Sequence, residues 1–185
     1  ADGSIPTETF SCVRELERKG VQFVVATGRQ GFTVYEYFKP VLDSIYLIAD
    51  NGALIYHEGK TVSVTELNQD RAKELIQNLE QFTDLDAIIC CENNAYSKDA
   101  SDALREAVKV YYQRLDYIAS VEEIKEPIIK IAIYAPKGFT EEEKKWLTNN
   151  YSDVFTVTVS AKQWIDIGNP SVSKGIALEK IMKEC

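Results

Sequence analysis

Two short apolar runs constrain the fold more than any other feature of the sequence. Residues 21–26 and 45–49 are almost entirely apolar, and residues 32–42, between them, have the spacing of a helix. Such runs are typical of parallel strands, which are covered on both faces because the crossover helices pack on each side of the sheet. A further helix is predicted to begin at Pro6-Thr7 and to end before Gly20. This α-β-α-β order predicts an α/β fold with a doubly wound parallel sheet.

The middle of the chain predicts a second unit of the α+β type. The strict alternation of helix and strand stops there, and Thr140 and Glu143 form a capping box at the start of one helix. Residues 128–134 alternate around Lys130, which predicts one buried face and one wetter face. A predicted hairpin, residues 53–56 and 61–64, precedes this unit. The predicted strands of the unit are residues 87–91, 128–134, 154–159 and 164–167, and its predicted helices cover residues 72–82, residues 103–115 and the segment around Trp146.

These patterns predict a core domain that is interrupted by an insertion. Residues 1–64 and 166–185 are predicted to form the two parts of the core, and residues 65–165 the inserted α+β domain. The second part of the core contains one helix, residues 174–183. Two recognisable core strands are too few for a complete parallel sheet. We therefore expect the chain to be a fragment of a longer protein.

Composition excludes several classes of function. The formal net charge of −8 gives no general attraction for nucleic acid or for an anionic membrane, so we expect neither as a partner. The four cysteines lack metal-site spacing, which is typical of a reduced, cytoplasmic protein. Because His57 is the single histidine, we expect neither a histidine-based metal site nor a Ser-His-Asp triad.

Polar residues follow both apolar runs, where the strands are predicted to end. In open α/β sheets, ligands bind at the carboxyl ends of the strands, and the hydroxyl and N–H groups of Thr27-Gly28-Arg29 could hold a phosphate there. The same tripeptide is equally compatible with a plain turn, and Asn51-Gly52 is itself a strong turn signal. Lys174 begins a helix, where the positive charge of a lysine opposes the helix dipole. An anion bound there would interact favourably with both the lysine and the helix N–H groups. The alternative interpretation of Lys174 is a solvated surface lysine.

Three stretches taken together resemble the haloacid dehalogenase superfamily. Residues 24–29 resemble its second motif, Asp50-Asn51-Gly52-Ala53 is similar to the SNGA turn of its Cof-like subgroup, and residues 172–178 look like its third motif, VSKGxAL. The motifs stand in the family's order, and an α+β insertion lies between the second and the third, as in members with a type-2 cap. The resemblance implies a Rossmann-like core, incomplete in this chain, with a cap domain over residues 65–165.

The resemblance also implies an activity. Members are Mg²⁺-dependent phosphatases of small phosphate monoesters, such as sugar phosphates or phosphorylated cofactors, and they work through an aspartyl-phosphate. By this resemblance Thr27 hydrogen-bonds the transferring phosphoryl group, and Lys174 stabilises the charge on the nucleophile and the phosphate. The residues that would shape the substrate-binding pocket are Gly28, Arg29, Asn51 and Gly52.

Two of the family's motifs are absent from the sequence. Neither the first motif, DxDGT, nor the fourth, GDxxND, occurs, and Asp2-Gly3-Ser4 lacks the apolar strand that precedes the first motif. We therefore expect the aspartate nucleophile and the metal carboxylates to lie outside this chain, and the chain alone to be inactive. Two alternatives stay open: a non-catalytic module that binds a phosphorylated ligand, and a phosphomutase of the same superfamily. The sequence indicates neither the physiological substrate nor the oligomeric state.

Overall fold

The chain forms two compact units. A computed structural model describes residues 5–98, 100–109 and 112–184. The core unit comprises Ala1–Val64 and Val172–Cys185, and the insert unit comprises Thr65–Ser171. Asp2-Gly3-Ser4 and Cys185 lie outside the described residues, as do residues 110 and 111 of the predicted helix 103–115.

A four-stranded sheet organises the core unit. Its order is β1-β2-β3-β4; β1 pairs parallel with β2, and the other two pairs are antiparallel. The chain reverses after β2 and forms the predicted hairpin. The α/β class is confirmed, with parallel pairing between β1 and β2. The elements of the core unit, numbered along the whole chain, are α1 (Thr7–Arg18), β1 (Phe23–Ala26), α2 (Gly31–Phe38), β2 (Ile45–Ala49), β3 (Leu54–His57), β4 (Lys60–Val64) and α6 (Lys174–Glu184).

The second helix is shorter than its apolar pattern predicts. We expected it to extend to Leu42, but α2 ends at Phe38 and a 3-10 segment, Lys39–Ser44, follows. Pro40 contributes to the change, because proline has no N–H to donate to the preceding turn. The helical backbone itself is broken one residue later, at Val41, whose φ of −136° and ψ of 15° are not helical. β2 begins directly after this segment, and each of its five residues is buried. The core of the unit therefore lies along β2.

A six-stranded sheet organises the insert unit. Its order is β7-β6-β5-β8-β10-β9, and only β6 and β7 pair in parallel among these strands. In the described part of the chain no helix is long and apolar enough to cross a bilayer. The elements of the insert unit are α3 (Gln69–Leu79), β5 (Asp86–Cys91), β6 (Ala95–Lys98), α4 (Asp102–Val108), β7 (Asp116–Ile118), β8 (Ile128–Tyr134), α5 (Glu141–Tyr151), β9 (Thr156–Ala161) and β10 (Trp164–Gly168).

The prediction of a wetter face on β8 is wrong. All seven residues of the strand are buried, and Lys130 is only 3% exposed. β8 lies between β5 and β10, and Lys130 is opposite Cys90. The Cys90 sulfur lies 3.9 Å from the Tyr112 hydroxyl, so the chain that follows α4 covers this face of the sheet.

The second boundary between the units lies later than the sequence predicts. The insert unit ends at Ser171, whereas we expected the boundary between residues 165 and 166. That cut would divide β10, which pairs along its length with β8 and β9. Trp164–Gly168 therefore belongs to the sheet of the insert unit.

The predicted helix 103–115 is also too long, because α4 ends at Val108 and residues 112–115 are not helical.

Candidate functional site

The carboxyl ends of β1 and β2 lie side by side in the core unit. The last paired residues of the two strands are Ala26 and Ile48. Beyond them, Thr27 N–H donates to the Ile48 carbonyl at 2.9 Å, and Asn51 N–H donates to the Thr27 carbonyl at 3.1 Å. The two polar turns are thus joined by backbone hydrogen bonds at one edge of the sheet.

Gly28 packs directly against the side chain of Asn51. A Cβ atom added to Gly28 would lie 2.4 Å from Asn51 Oδ1, so no side chain fits at this position without displacing Asn51. Asn51 has a left-handed backbone, φ 60° and ψ 14°, which asparagine adopts more readily than most residues. The structure therefore brings together the first two of the sequence motifs.

Gly52 brings the third motif to the same place. A Cβ atom added to it would lie 2.5 Å from the Ser173 carbonyl oxygen and 3.2 Å from the Lys174 nitrogen. Its φ of +113° is also a conformation that favours glycine. The turn after β2 therefore abuts the N-terminus of α6, where Lys174 is the first residue.

The N-terminus of α6 presents donors and a cation. Ser173 Oγ accepts the Ile176 N–H at 3.1 Å, which makes Ser173 the N-cap. The N–H groups of Lys174 and Gly175 belong to the first helical turn, where no intrahelical acceptor is available and anions bind favourably. The Lys174 side chain is exposed. The start of α6 therefore offers helix N–H groups and carries a lysine as its first residue.

The Thr27 hydroxyl adds a further donor. Its oxygen accepts the Arg29 N–H at 3.1 Å, which fixes the turn. A hydroxyl has one proton to donate in addition to its acceptor sites, so this contact leaves the proton available for an anion. The Arg29 side chain is exposed. Hydroxyl, helix N-terminus and lysine together form an arrangement suited to a phosphate.

Asp50 is a structural residue that the sequence interpretation missed. It is 1% exposed and has a positive φ of 47°. Its carboxylate oxygen Oδ2 accepts the Gly31 N–H at the start of α2 at 2.7 Å, and its own N–H donates to the Arg29 carbonyl at 3.0 Å. Asp50 therefore positions the loop that carries Thr27 and Arg29. Its signal in the sequence is a carboxylate between a buried strand and an Asn-Gly turn.

We expect Asp50→Ala to lower the free energy of unfolding by roughly 2 kcal/mol, because it leaves the buried Gly31 N–H without this acceptor. Asp50→Asn should cost less, since its amide oxygen can accept the same proton and asparagine tolerates the left-handed backbone. Urea denaturation followed by circular dichroism measures both. Equal losses for the two variants would contradict the role given to the hydrogen bond.

The described residues do not form a magnesium site by themselves. Within residues 5–98, 100–109 and 112–184, no group of three or more His, Cys, Asp or Glu side chains is placed to hold a metal ion. Mg²⁺ requires oxygen ligands in near-octahedral geometry. The groups at the ends of β1 and β2 and at the start of α6 are N–H and hydroxyl donors, which suit an anion.

Comparison with known proteins identifies the family of the chain. The sequence model of the haloacid dehalogenase-like hydrolases matches residues 1–185. The 5-amino-6-(5-phospho-D-ribitylamino)uracil phosphatase YbjI of Escherichia coli is 26% identical over 171 residues, which are 92% of this chain and 63% of that protein. Phosphatase YwpJ of Bacillus subtilis is 26% identical in an alignment of 207 positions that covers 97% of this chain and 72% of that protein. The chain therefore spans about two thirds of the length of these relatives.

A solved structure shares the fold. A haloacid dehalogenase-like hydrolase from B. subtilis superposes with a TM-score of 0.79 at 22% identity, covering 99% of this chain and 73% of that one. At this identity the likeness concerns the fold alone. Because the family's sequence model matches residues 1–185, the chain belongs to the haloacid dehalogenase-like hydrolases, as its Cof-like motifs predicted.

Proposed function

We propose that the whole protein hydrolyses phosphate monoesters of small metabolites in the cytoplasm. The observation that supports this most is the convergence of three motifs in the core unit. Gly28 lies against Asn51, and Gly52 lies against Ser173 and the Lys174 nitrogen, so the turns after β1 and β2 and the start of α6 are in contact. The phosphatase names of the relatives from E. coli and B. subtilis also support the proposal.

The residues of this chain would bind and orient the phosphoryl group. In the proposal Thr27 donates its hydroxyl proton to a phosphoryl oxygen, and Lys174 neutralises the charge that gathers on phosphate and nucleophile. The N–H groups at the start of α6 add fixed dipoles that need no reorganisation during the reaction. Gly28 and Gly52 have no side chain, so the two turns and the start of α6 can approach one another closely around the phosphoryl group. Asn51 and Arg29 shape the pocket.

The nucleophile and the metal belong to other parts of the protein in this proposal. The sequence lacks the DxDGT and GDxxND motifs, and the described residues lack a cluster of metal ligands. We therefore propose that the aspartate that forms the aspartyl-phosphate, and the ligands of Mg²⁺, lie outside this chain. Alone, the chain would bind the phosphate group without turning it over.

The test compares this chain with the whole protein. We expect the whole protein to release phosphate from p-nitrophenyl phosphate and from a panel of sugar phosphates in the presence of Mg²⁺, and to lose this activity in EDTA. The isolated chain, assayed at equal concentration, should release none. If the whole protein is inactive on every substrate with Mg²⁺ present, the proposed hydrolysis is excluded.

A non-catalytic binding module is the second candidate. The N–H and hydroxyl donors that suit an anion are present without a metal cluster in the described residues, and such donors can serve binding alone. Calorimetric titration of the whole protein with inorganic phosphate separates the two functions. Binding without turnover on the substrate panel would favour the module, whereas binding with turnover favours the phosphatase.

A further inference from the structure

The strand β9 leaves one edge of the insert-unit sheet without a neighbour in the described part of the chain. It is the last strand of the sheet and pairs with β10. Its sequence, Thr-Val-Thr-Val-Ser-Ala, contains no charged residue and no proline. Five of its six residues are exposed, and Val159 is 57% exposed.

Such an edge is unusual for a protein that remains monomeric. Edge strands present rows of backbone N–H and C=O groups, and natural proteins protect them with short length, charges, proline or bulges. The opposite edge of the same sheet follows this rule, because β7 has only three residues and begins with Asp116. β9 is twice as long, and its alternating β-branched residues favour strand pairing. Its pairing with β10 has a bulge between Val159 and Ala161, near the end of the strand, whereas Thr156–Val159 pair in regular register.

We infer that β9 pairs antiparallel with β9 of a second copy of the chain, with the two-fold axis at Thr158. In this register Val157 lies opposite Val159 of the partner subunit, and Thr158 lies opposite Thr158 of the partner subunit. Pairs of β-branched residues and pairs of threonines both stabilise antiparallel strands. A two-fold contact uses the same surface on both copies, so the segment must be self-complementary, as this one is.

The pairing continues an existing hydrophobic core. Val157 packs against the apolar cluster that contains Ile165 and Ile167, and Val159 lies opposite Ile165 in β10. Residues opposite each other in adjacent strands point to the same face of a sheet. Val159 therefore projects on the face of this cluster, at its exposed margin, and a second copy would remove its apolar surface from water.

The charges at the two ends of β9 also favour a second copy of the chain as its neighbour. Asp153 precedes β9 and Lys162 follows it, and both are exposed. Asp153 lies 3.9 Å from the Arg71 guanidinium of its own chain, but its side chain stays 71% exposed. In an antiparallel pair the start of one strand lies beside the end of the other. Each Asp153 would then lie near Lys162 of the partner subunit, so opposite charges meet at both ends of the contact. This complementarity holds for the antiparallel arrangement, whereas a parallel pair would place like charges together.

Sedimentation equilibrium tests the inference on the full chain. The expected species has twice the monomer mass of 20.9 kDa and dissociates on dilution. Val159→Lys and Thr158→Lys place charges at the axis and should raise the dissociation constant at least about tenfold. Val62→Lys is the matched control, because Val62 is 51% exposed on β4 of the core unit. Circular dichroism checks that each variant is folded.

A cysteine variant tests the register. Thr158→Cys should form an intermolecular disulfide on mild oxidation, because a residue on the axis faces its own copy at bridging distance. The background carries Cys12→Ser and Cys185→Ser, since Cys12 is exposed. Thr156→Cys is the control and should form no such bridge, because it lies off the axis. A monomer at all concentrations, or a dimer disrupted by Val62→Lys and unaffected by Val159→Lys, would overturn the inference.

Discussion

Replacing Lys174 by alanine is expected to lower the turnover of the whole protein by about 10²–10³-fold, the cost of removing one preorganised charge from a transition state. Lys174 is the first residue of α6, beside the Gly52 turn. Its charge opposes the helix dipole, so it does not serve the stability of the helix. The measurement is steady-state phosphate release from p-nitrophenyl phosphate at saturating Mg²⁺.

Two controls separate this loss from a structural defect. Lys183→Ala removes an exposed lysine from the last turn of the same helix and should leave turnover unchanged. Lys174→Ala should keep the free energy of unfolding or raise it by roughly 0.3–1 kcal/mol, because an unfavourable helix-dipole contact is removed. A near-normal rate in Lys174→Ala would exclude the catalytic role. Equal losses in both lysine variants would indicate a general effect of charge.

The strand ends could be predicted because local sequence determines them. A nearly continuous apolar run identifies a buried strand, and the polar residues that follow it mark the edge where ligands bind. β2 has the predicted bounds, Ile45–Ala49, and both polar turns lie at one edge of the sheet. The pattern also identified the capping box of α5, where Thr140 and Glu143 exchange hydrogen bonds with the backbone.

The contacts between motifs could not be predicted, because they depend on packing. No spacing along the chain indicates that Gly52 approaches Ser173, which lies far away in sequence. Asp50 could equally have been a solvated turn residue, and only the fold shows its carboxylate at the Gly31 N–H. The prediction that Lys130 lies on a wetter face of β8 was wrong for the same reason, since burial of a lysine depends on what covers its face of the sheet. Tertiary context decided each of these positions.

Gly52→Ala is expected to lower the free energy of unfolding by roughly 3 kcal/mol, the combined cost of a strained backbone and a steric clash. Its φ of +113° is unfavourable for any residue with a side chain, and the added Cβ would lie 2.5 Å from the Ser173 carbonyl oxygen. The obstacle is backbone, so no side-chain rotation relieves it. The turn and the N-terminus of α6 must move apart. Urea denaturation of the chain measures the loss.

Gly20→Ala supplies the matched control for this clash. Gly20 also has a positive φ, +73°, but an added Cβ would meet no atom within 4 Å. Only the backbone cost remains there, about 1 kcal/mol. The difference between the two variants therefore measures how tightly the Gly52 turn packs on α6. If Gly52→Ala costs no more than Gly20→Ala, the close approach is absent in solution. The convergence of Asn51-Gly52 with Lys174, on which the proposed phosphate site rests, would then be excluded.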